Sequence, residues 1–205
     1  MKSSDTKVFK KISSYYDHLV KQYGHSPRAC DYGNPLSQQT KFRTLSAVMD
    51  LTGKTILDVG CGMGDYADYL TGRFKDFTYS GIDISSKMVE TARQAHPALD
   101  IRLGNIIEDV IERFDVITAN GIFYLLGPGA PALMKEMVTR MYALSIRAVA
   151  FNSLSSWAQD KEEGEFYADP LDTTEFCRQL TPWVVLRHDY HSRDFTVYLY
   201  REQNK

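Results

Sequence analysis

Residues Ile56–Gly64 read ILDVGCGMG. An apolar run of strand length, Thr55–Val59, carries one acidic residue, Asp58, and is followed at once by Gly60, Gly62 and Gly64. A helical pattern then runs from Asp65 to Phe74. Glycines between a buried strand and a helix let the backbone turn sharply and come close to a ligand, which the first N–H groups of the helix face. A tight β–α turn that holds nothing is the plain alternative.

Outward from this turn the pattern keeps alternating. Thr78–Ile84 (TYSGIDI) predicts a strand and Ser86–His96 a helix stopped before Pro97. Ile101–Leu103 predicts a short third strand and Asp115–Ala119 (DVITA) a fourth. Leu133, Met134, Met137, Val138, Met141 and Tyr142 share a helix face, and Ile146–Phe151 predicts a fifth strand. Such alternation with continuously apolar strands signals a parallel sheet covered on both faces. After a short helix near Thr173–Leu180, strands Trp183–His188 and Phe195–Tyr200 are separated only by the turn DYHSRD. So short a link forces them antiparallel. Upstream, Thr6–Tyr23 has helical apolar spacing, with Gly24 as its stop. A Pro- and Gly-punctuated loop follows, then a second helix that Ser37 could cap, with Phe42, Leu45 and Met49 on its apolar face. The chain divides into a helical cap, 1–53, and a core, 54–205, within one structural domain.

Composition narrows the function classes. The 205 residues suit one domain, and 43% hydrophobic with 24% charged residues is ordinary for a globular chain. The net charge of −2 lacks the positive field of proteins that grip nucleic acid, so no DNA is expected. No apolar run approaches the ~20 residues of a spanning helix, and no signal core follows MKSSDTKVFKK, so a cytoplasmic protein with no membrane partner is expected. The 3 cysteines, Cys30, Cys61 and Cys177, form no CxxC pair, which argues against a disulfide framework or a metal site. Nothing in the chain speaks to its oligomeric state.

The ligand at the glycine turn can be narrowed by frame. A dinucleotide fingerprint reads G-x-G-x-x-G. Counted from Gly60 its third glycine falls on Asp65; counted from Gly62 it falls on Ala67, which is tolerated. That second frame pushes the turn into the helix and leaves Asp58 without a part. Asp83, at the end of the second strand, suits a ribose: an ionised carboxylate can accept from both hydroxyls, and it would repel a 2′-phosphate. A helix-capping Asp before Ser85 and Ser86 is the competing reading.

Together these residues resemble motif I and its neighbours in class I S-adenosylmethionine-dependent methyltransferases: an apolar strand, an acidic residue, then G-x-G-x-G. The resemblance covers most of the chain after residue 54. It implies an α/β, Rossmann-like fold with a seven-stranded, mostly parallel sheet, an antiparallel C-terminal hairpin strand and an N-terminal helical cap. It also implies methyl transfer, with S-adenosyl-L-methionine as cofactor and S-adenosyl-L-homocysteine as product. Asp58, Gly60, Cys61, Gly62 and Gly64 would then surround the methionine and ribose portions. Ile84 would pack on the adenine, and Asn105, with Ile106 beside it, would face the adenine amine. Family members frequently have Asp at that position, so an amide here gives an acceptor without charge assistance. Ala119 and Asn120 would flank the methionine part. No proline follows Asn120, unlike the Asn-Pro-Pro-aromatic signature of amino-methylating nucleic-acid and protein enzymes.

The acceptor side is read more coarsely. The resemblance puts Phe123 and Tyr124 near the transferred methyl; core aromatics are the competing reading. The penultimate strand should run parallel to the others, so its end, with His188, Asp189, Tyr190, His191 and Arg193, should face the ligand side. His188, His191 and Tyr124 are the candidates for proton transfer, since an imidazole works near neutral pH. In the cap, Tyr15, Tyr16, Tyr32, Gln39 and Arg43 suit a lid, with Arg43 able to clamp a carboxylate. The expected partner is a small-molecule substrate; the alternatives are a methyltransferase acting on protein or RNA and, behind it, an NAD-binding oxidoreductase or a cofactor-binding module without activity.

Overall fold

A computed structural model describes residues 3–31 and 35–203. Tyr32 lies outside the described residues. Helix α1 (Ser3–Tyr23), a 3-10 turn (Pro27–Cys30) and α2 (Pro35–Ser46) precede β1 (Thr55–Val59). Then come α3 (Asp65–Thr71), β2 (Thr78–Asp83), α4 (Ser86–Ala95), β3 (Asp100–Leu103) and β4 (Phe114–Ala119). The chain closes with α5 (Ala130–Leu144), β5 (Ser145–Leu154), α6 (Pro170–Leu180), β6 (Val184–Arg187) and β7 (Asp194–Tyr200).

The seven strands form one sheet in the order β3-β2-β1-β4-β5-β7-β6. β1 pairs in parallel with β2 and β4, β2 with β3, and β4 with β5. Only β7 runs against the rest, antiparallel to both β5 and β6. This is the expected fold, and its order reverses direction beside β1. The carboxyl ends of β1 and β4 therefore open a crevice, which is where open α/β sheets take ligands.

Strand alternation divides the core into two layers. Leu57, Ile117, Val149 and Phe151 point to the face covered by α5 and α6. Their neighbours Ile56, Val116, Ala148 and Ala150 point to the opposite face, with Phe42 and Leu45 of α2 and Tyr66 and Leu70 of α3. Each fully buried large apolar side chain contributes roughly 1.5–3 kcal/mol. Phe9 and Ile12 of α1 belong to the first layer, so the cap shares the core of the sheet.

Several boundaries differ from the sequence reading for local reasons. α2 begins at Pro35, so Ser37 lies inside its first turn and does not cap it. α3 ends at Thr71 because Arg73 and Phe74 both turn their N–H groups back onto the Leu70 carbonyl. β5 runs on to Leu154 because β7 pairs with it as far as Leu154↔Asp194. Gly24 does stop α1, at φ +60°, its N–H returning 2.9 Å to the Val20 carbonyl.

Candidate active site

The glycine turn adopts the conformation its composition implies. Gly60 has φ +73°, and a Cβ there would lie 2.3 Å from Ile122 Cγ2. Gly62 has φ +54° and a Cβ there would stand 3.3 Å from Cys30 Sγ. Both positions thus need glycine, for backbone angle and for close approach. Gly64 is the N-cap of α3. The loop is tied to β2 by Gly60 and Cys61 N–H bonds to the Ile82 carbonyl, at 2.8 and 3.1 Å.

Two buried carboxylates flank this turn. Asp83 accepts the Gly62 N–H through Oδ2 at 2.9 Å and the Ser85 N–H through Oδ1 at 2.8 Å. Each oxygen keeps a second lone-pair direction for a ligand hydroxyl. Burial pushes its carboxyl above the ordinary range, with the two backbone donors pulling against it. Asp58 accepts Tyr79 Oη–H at 2.8 Å and Thr118 Oγ1–H at 2.9 Å. Burial raises its carboxyl to about 7, against those two donors, with nearby Asp83 pushing the same way. No salt bridge reaches Asp58 among the described residues.

A cavity of about 780 Å³ lies over these groups. Asp58, Gly60, Cys61, Gly62, Asp83, Ile84, Asn105, Ile106 and Asn120 all line it, as do Tyr16, Phe123, Tyr124 and His191. These residues come from six separate stretches of the chain, and the fold brings them to one cavity. Asn105 Oδ1 already accepts the Ile107 N–H at 3.0 Å, leaving its second lone pair for a ligand. Asn152 Nδ2 donates to Asn120 Oδ1 at 2.5 Å, and Asn152 Oδ1 accepts the Gly121 N–H at 2.7 Å, so β5 holds the chain after β4 in place.

Other expected residues stand elsewhere. Ala119 is fully buried at the end of β4, and Gly64 turns into α3, both outside the lining. Arg43 and Gln39 are exposed on α2, whereas Ser37, Gln38, Lys41 and Phe42 line the cavity. Helical phase explains this: positions i, i+1, i+4 and i+5 share a face that 39 and 43 do not. His188 donates or accepts at 2.7 Å with Ser155 Oγ and stacks on Phe195, away from the lining.

The cap closes the cavity through polar contacts. Tyr16 Oη lies 2.7 Å from Tyr124 Oη, and Tyr124 donates to Asp31 Oδ2 at 2.7 Å. Burial raises both tyrosine hydroxyls well above their ordinary range. Asp17 accepts Ser85 Oγ–H at 2.6 Å and the Lys87 N–H at 3.1 Å, docking α1 on the first turn of α4. Asp65 accepts Gln38 Nε2–H at 3.0 Å. Glu162 and Glu165, from the acidic loop after β5, line the cavity and hold Arg193, each at 2.9 Å. The sequence reading missed Asp17, Asp31, Ser37, Asp65 and Asp194. Asp31 lies in an aperiodic loop that carries no signal. Asp194 was findable as a carboxylate three positions from His191 at a strand start.

The donor set fits a sulfonium cofactor. Asp31, Asp58, Asp65, Asp83, Glu162, Glu165 and Asp194 outnumber Arg28, Lys41 and Arg193 around the cavity, which favours a ligand of net positive charge. Asp58, buried and without a cation, suits a ligand ammonium. Among the described residues no group of His, Cys, Asp and Glu could hold a metal ion, and no helix is long and apolar enough to cross a membrane.

Known proteins share this design. Residues 56–142 match the family model described as a methyltransferase domain. A protein of Mycobacterium tuberculosis that carries a methyltransferase name is 31% identical over 153 residues, 70% of this chain and 90% of that protein. The ubiquinone biosynthesis O-methyltransferase of Neisseria meningitidis is 40% identical over 78 residues, which span 34% of this chain and 32% of that longer protein. Among solved structures, magnesium protoporphyrin IX methyltransferase from Synechocystis PCC 6803 with bound S-adenosylhomocysteine superposes with TM-score 0.69 at 13% identity, covering 94% of this chain and 99% of that one. The complex of DhpI with S-adenosylhomocysteine gives TM-score 0.70 at 13% identity, covering 97% and 98%. At those identities the two structures show the shared fold. Fold, glycine turn and relatives together define an S-adenosylmethionine-dependent methyltransferase. The chain belongs to the class I family of these enzymes.

Proposed function

We propose that this chain transfers a methyl group from S-adenosylmethionine to a small-molecule acceptor enclosed between the cap, the carboxyl ends of β4 and β5 and the amino end of β7. The observation that carries the reading is the enclosure itself. One cavity is walled on one side by the glycine turn, Asp58 and Asp83, and on the other by Tyr16, Phe123, Tyr124 and His191, under a roof of α1 and α2.

The bound cofactor supplies an electrophilic methyl group on sulfur, so the protein's work is alignment and exclusion of water. Asp83 would accept the ribose hydroxyls, Asn105 and Ile106 would meet the adenine beside Ile84, and Asp58 would face the methionyl ammonium. Cys61, Gly60, Gly62 and Asn120 would line its path. Tyr16, Tyr124 and Phe123 would hold the acceptor, and near-attack positioning alone can remove ~7–11 kcal/mol of barrier. The alternative, a macromolecular acceptor, has less support because the roof covers the reacting end.

Calorimetry tests the reading. S-adenosylmethionine and S-adenosylhomocysteine should bind with micromolar affinity, and NAD and NADP should not. NAD binding without S-adenosylmethionine binding would overturn it.

A further inference from the structure

Tyr16, Tyr124 and Asp31 all line the cavity and form a hydrogen-bond chain whose direction is fixed by its last member. Tyr124 Oη–H donates to Asp31 Oδ2 at 2.7 Å, and Tyr15 Oη–H donates to the same oxygen at 3.0 Å. A carboxylate only accepts, so the single hydroxyl hydrogen of Tyr124 is spent there. The 2.7 Å contact between Tyr16 Oη and Tyr124 Oη therefore has Tyr16 as its donor. Burial first, and the charge of Asp31 after it, raise both phenols well above the ordinary range, so both keep their hydrogens.

Tyr16 then has no hydrogen left to give. Among the described residues its oxygen has no hydrogen-bond partner besides Tyr124, so what it offers the cavity is a lone pair. The chain is held from both ends. Asp17 docks α1 on the first turn of α4, and the Phe166 N–H holds the Tyr124 carbonyl at 2.8 Å. The Tyr15 ring packs edge-on against Tyr16, with centroids 5.4 Å apart. Behind the effect of burial, the charges of both Asp31 and Asp83 are felt at Tyr16. Its hydroxyl thus lies within reach of the cofactor end and of Asp31, which is exposed to solvent.

A lone pair on the wall selects a hydrogen-bond donor, and the carboxylate behind it selects among donors. A carboxylate acceptor has no hydrogen to offer at neutral pH, and a thiol is a weak donor. An amine donates, but once methylated it is an ammonium, a far weaker acid than a carboxylic acid, and its proton would not pass to Asp31. A hydroxyl behaves differently. As its new C–O bond forms, the oxygen becomes three-bonded and positive, a stronger acid than a carboxylic acid, so its proton runs downhill to Asp31 without a strong base.

We propose that the acceptor is a hydroxyl compound whose O–H donates to Tyr16 Oη, and that Asp31 is the positioning residue that points the chain outward so that Tyr16 can accept. The proposal rests on the methyl-transfer reading and narrows its acceptor class. In the step, an oxygen lone pair forms the C–O bond and the methyl–sulfur bonding pair stays with sulfur. The acceptor O–H bond breaks and its proton goes to Tyr16 Oη. Tyr16 passes its own proton to Tyr124, Tyr124 passes its own to Asp31, and Asp31 releases it to water.

The probes are 4-nitrophenol and 4-nitroanisole, titrated into the S-adenosylhomocysteine complex; the first has an O–H to donate and the second has none. Nitrophenol should bind the wild type more tightly, and Tyr16→Phe should cut that preference roughly five- to tenfold, the usual worth of one hydrogen bond. Nitrophenol turns yellow on ionising, which reads the direction of the chain. Tyr124→Phe keeps the charge of Asp31 but frees the Tyr16 hydrogen to meet a phenolate, so the bound probe should ionise at lower pH than in the wild type. Asp31→Ala should shift that pH the same way, and by less in the Tyr124→Phe background, where only its charge is left to lose. A chain that merely fastens the cap would leave the probe's ionisation where it was. Nitrophenol that binds no better than nitroanisole, or not at all, would overturn the proposal. So would a preference that survives Tyr16→Phe, an unmoved or higher ionisation pH in folded Tyr124→Phe, or equal Asp31→Ala shifts in the two backgrounds. If Tyr124→Phe does not fold, the wild type and Tyr16→Phe still decide. Calorimetry with S-adenosylhomocysteine on the wild type keeps the two readings apart: binding without a nitrophenol preference sinks only this proposal, and absent binding sinks methyl transfer and this proposal with it.

Discussion

At the residue scale, two carboxylates of one chemical type are given different environments. Asp83 is held by two backbone N–H groups, and Asp58 by two neutral hydroxyls. Removing Asp83 deletes a charged acceptor and strands the Gly62 and Ser85 donors. Asp83→Ala should therefore weaken S-adenosylmethionine binding by roughly 2–4 kcal/mol, read by calorimetry. Parental affinity in a folded variant would put the ribose elsewhere. Asp58 makes a pH prediction. Its carboxyl is raised to about 7 in the fold, above the ordinary carboxylate value of 3.8. The native state therefore binds more protons than the unfolded state between those two values, and this group's contribution to stability falls as pH rises through that window. Asp58→Asn should flatten that part of the pH–stability curve in denaturant titrations. A ligand ammonium would favour the ionised form, so cofactor affinity should rise between about pH 5 and 7 with release of a proton. Asn105→Asp should keep or improve affinity, because the carboxylate retains the Ile107 contact and adds charge to the acceptor. A large loss in a folded variant would remove the adenine from that position.

At the element scale, the docking of α1 on α4 was not legible. Asp17 lies on the polar face of a helix whose period predicts only its apolar stripe. In the fold its carboxylate meets Ser85 and the Lys87 N–H at the start of α4. Asp17→Ala should cost about 1 kcal/mol of stability, the usual worth of a helix N-terminal acceptor, measured by urea unfolding. No change would mean that water replaces the contact. The phase of α2 shows the same limit. Its apolar positions Phe42 and Leu45 were readable, but which polar residues border that stripe depends on the angle at which it crosses the sheet. That angle turns Gln38 and Lys41 inward and leaves Arg43 exposed.

At the scale of the whole molecule, the N-terminal segment shares the core of the sheet and also borders the cavity. Phe9 and Ile12 are buried with sheet residues, while Tyr16, Asp17, Asp31, Gln38 and Lys41 meet the rest through hydrogen bonds and ion pairs. Polar closures of this kind open at lower free energy than apolar ones. Amides of residues 3–31 and 35–46 should exchange faster than those of β1, β4 and β5, and S-adenosylhomocysteine should slow the first group most. Equal slowing across the chain would show that the cap does not close on the ligand side.

What the sequence determined by itself was local and periodic: the strand–glycine–helix turn at Ile56–Gly64, the alternation that makes a parallel sheet, the short link that makes β7 antiparallel, and Asp83 at a strand end. These follow from backbone sterics and side-chain period, which need no distant partner. The tertiary structure alone decided that Tyr124 would meet both Tyr16 and Asp31, and that His191, not His188, would face the cavity with Asp194 and Ser37 around it. Those contacts join residues up to 154 positions apart. Such pairings are set by how helices and strands pack, and no spacing along the chain records them.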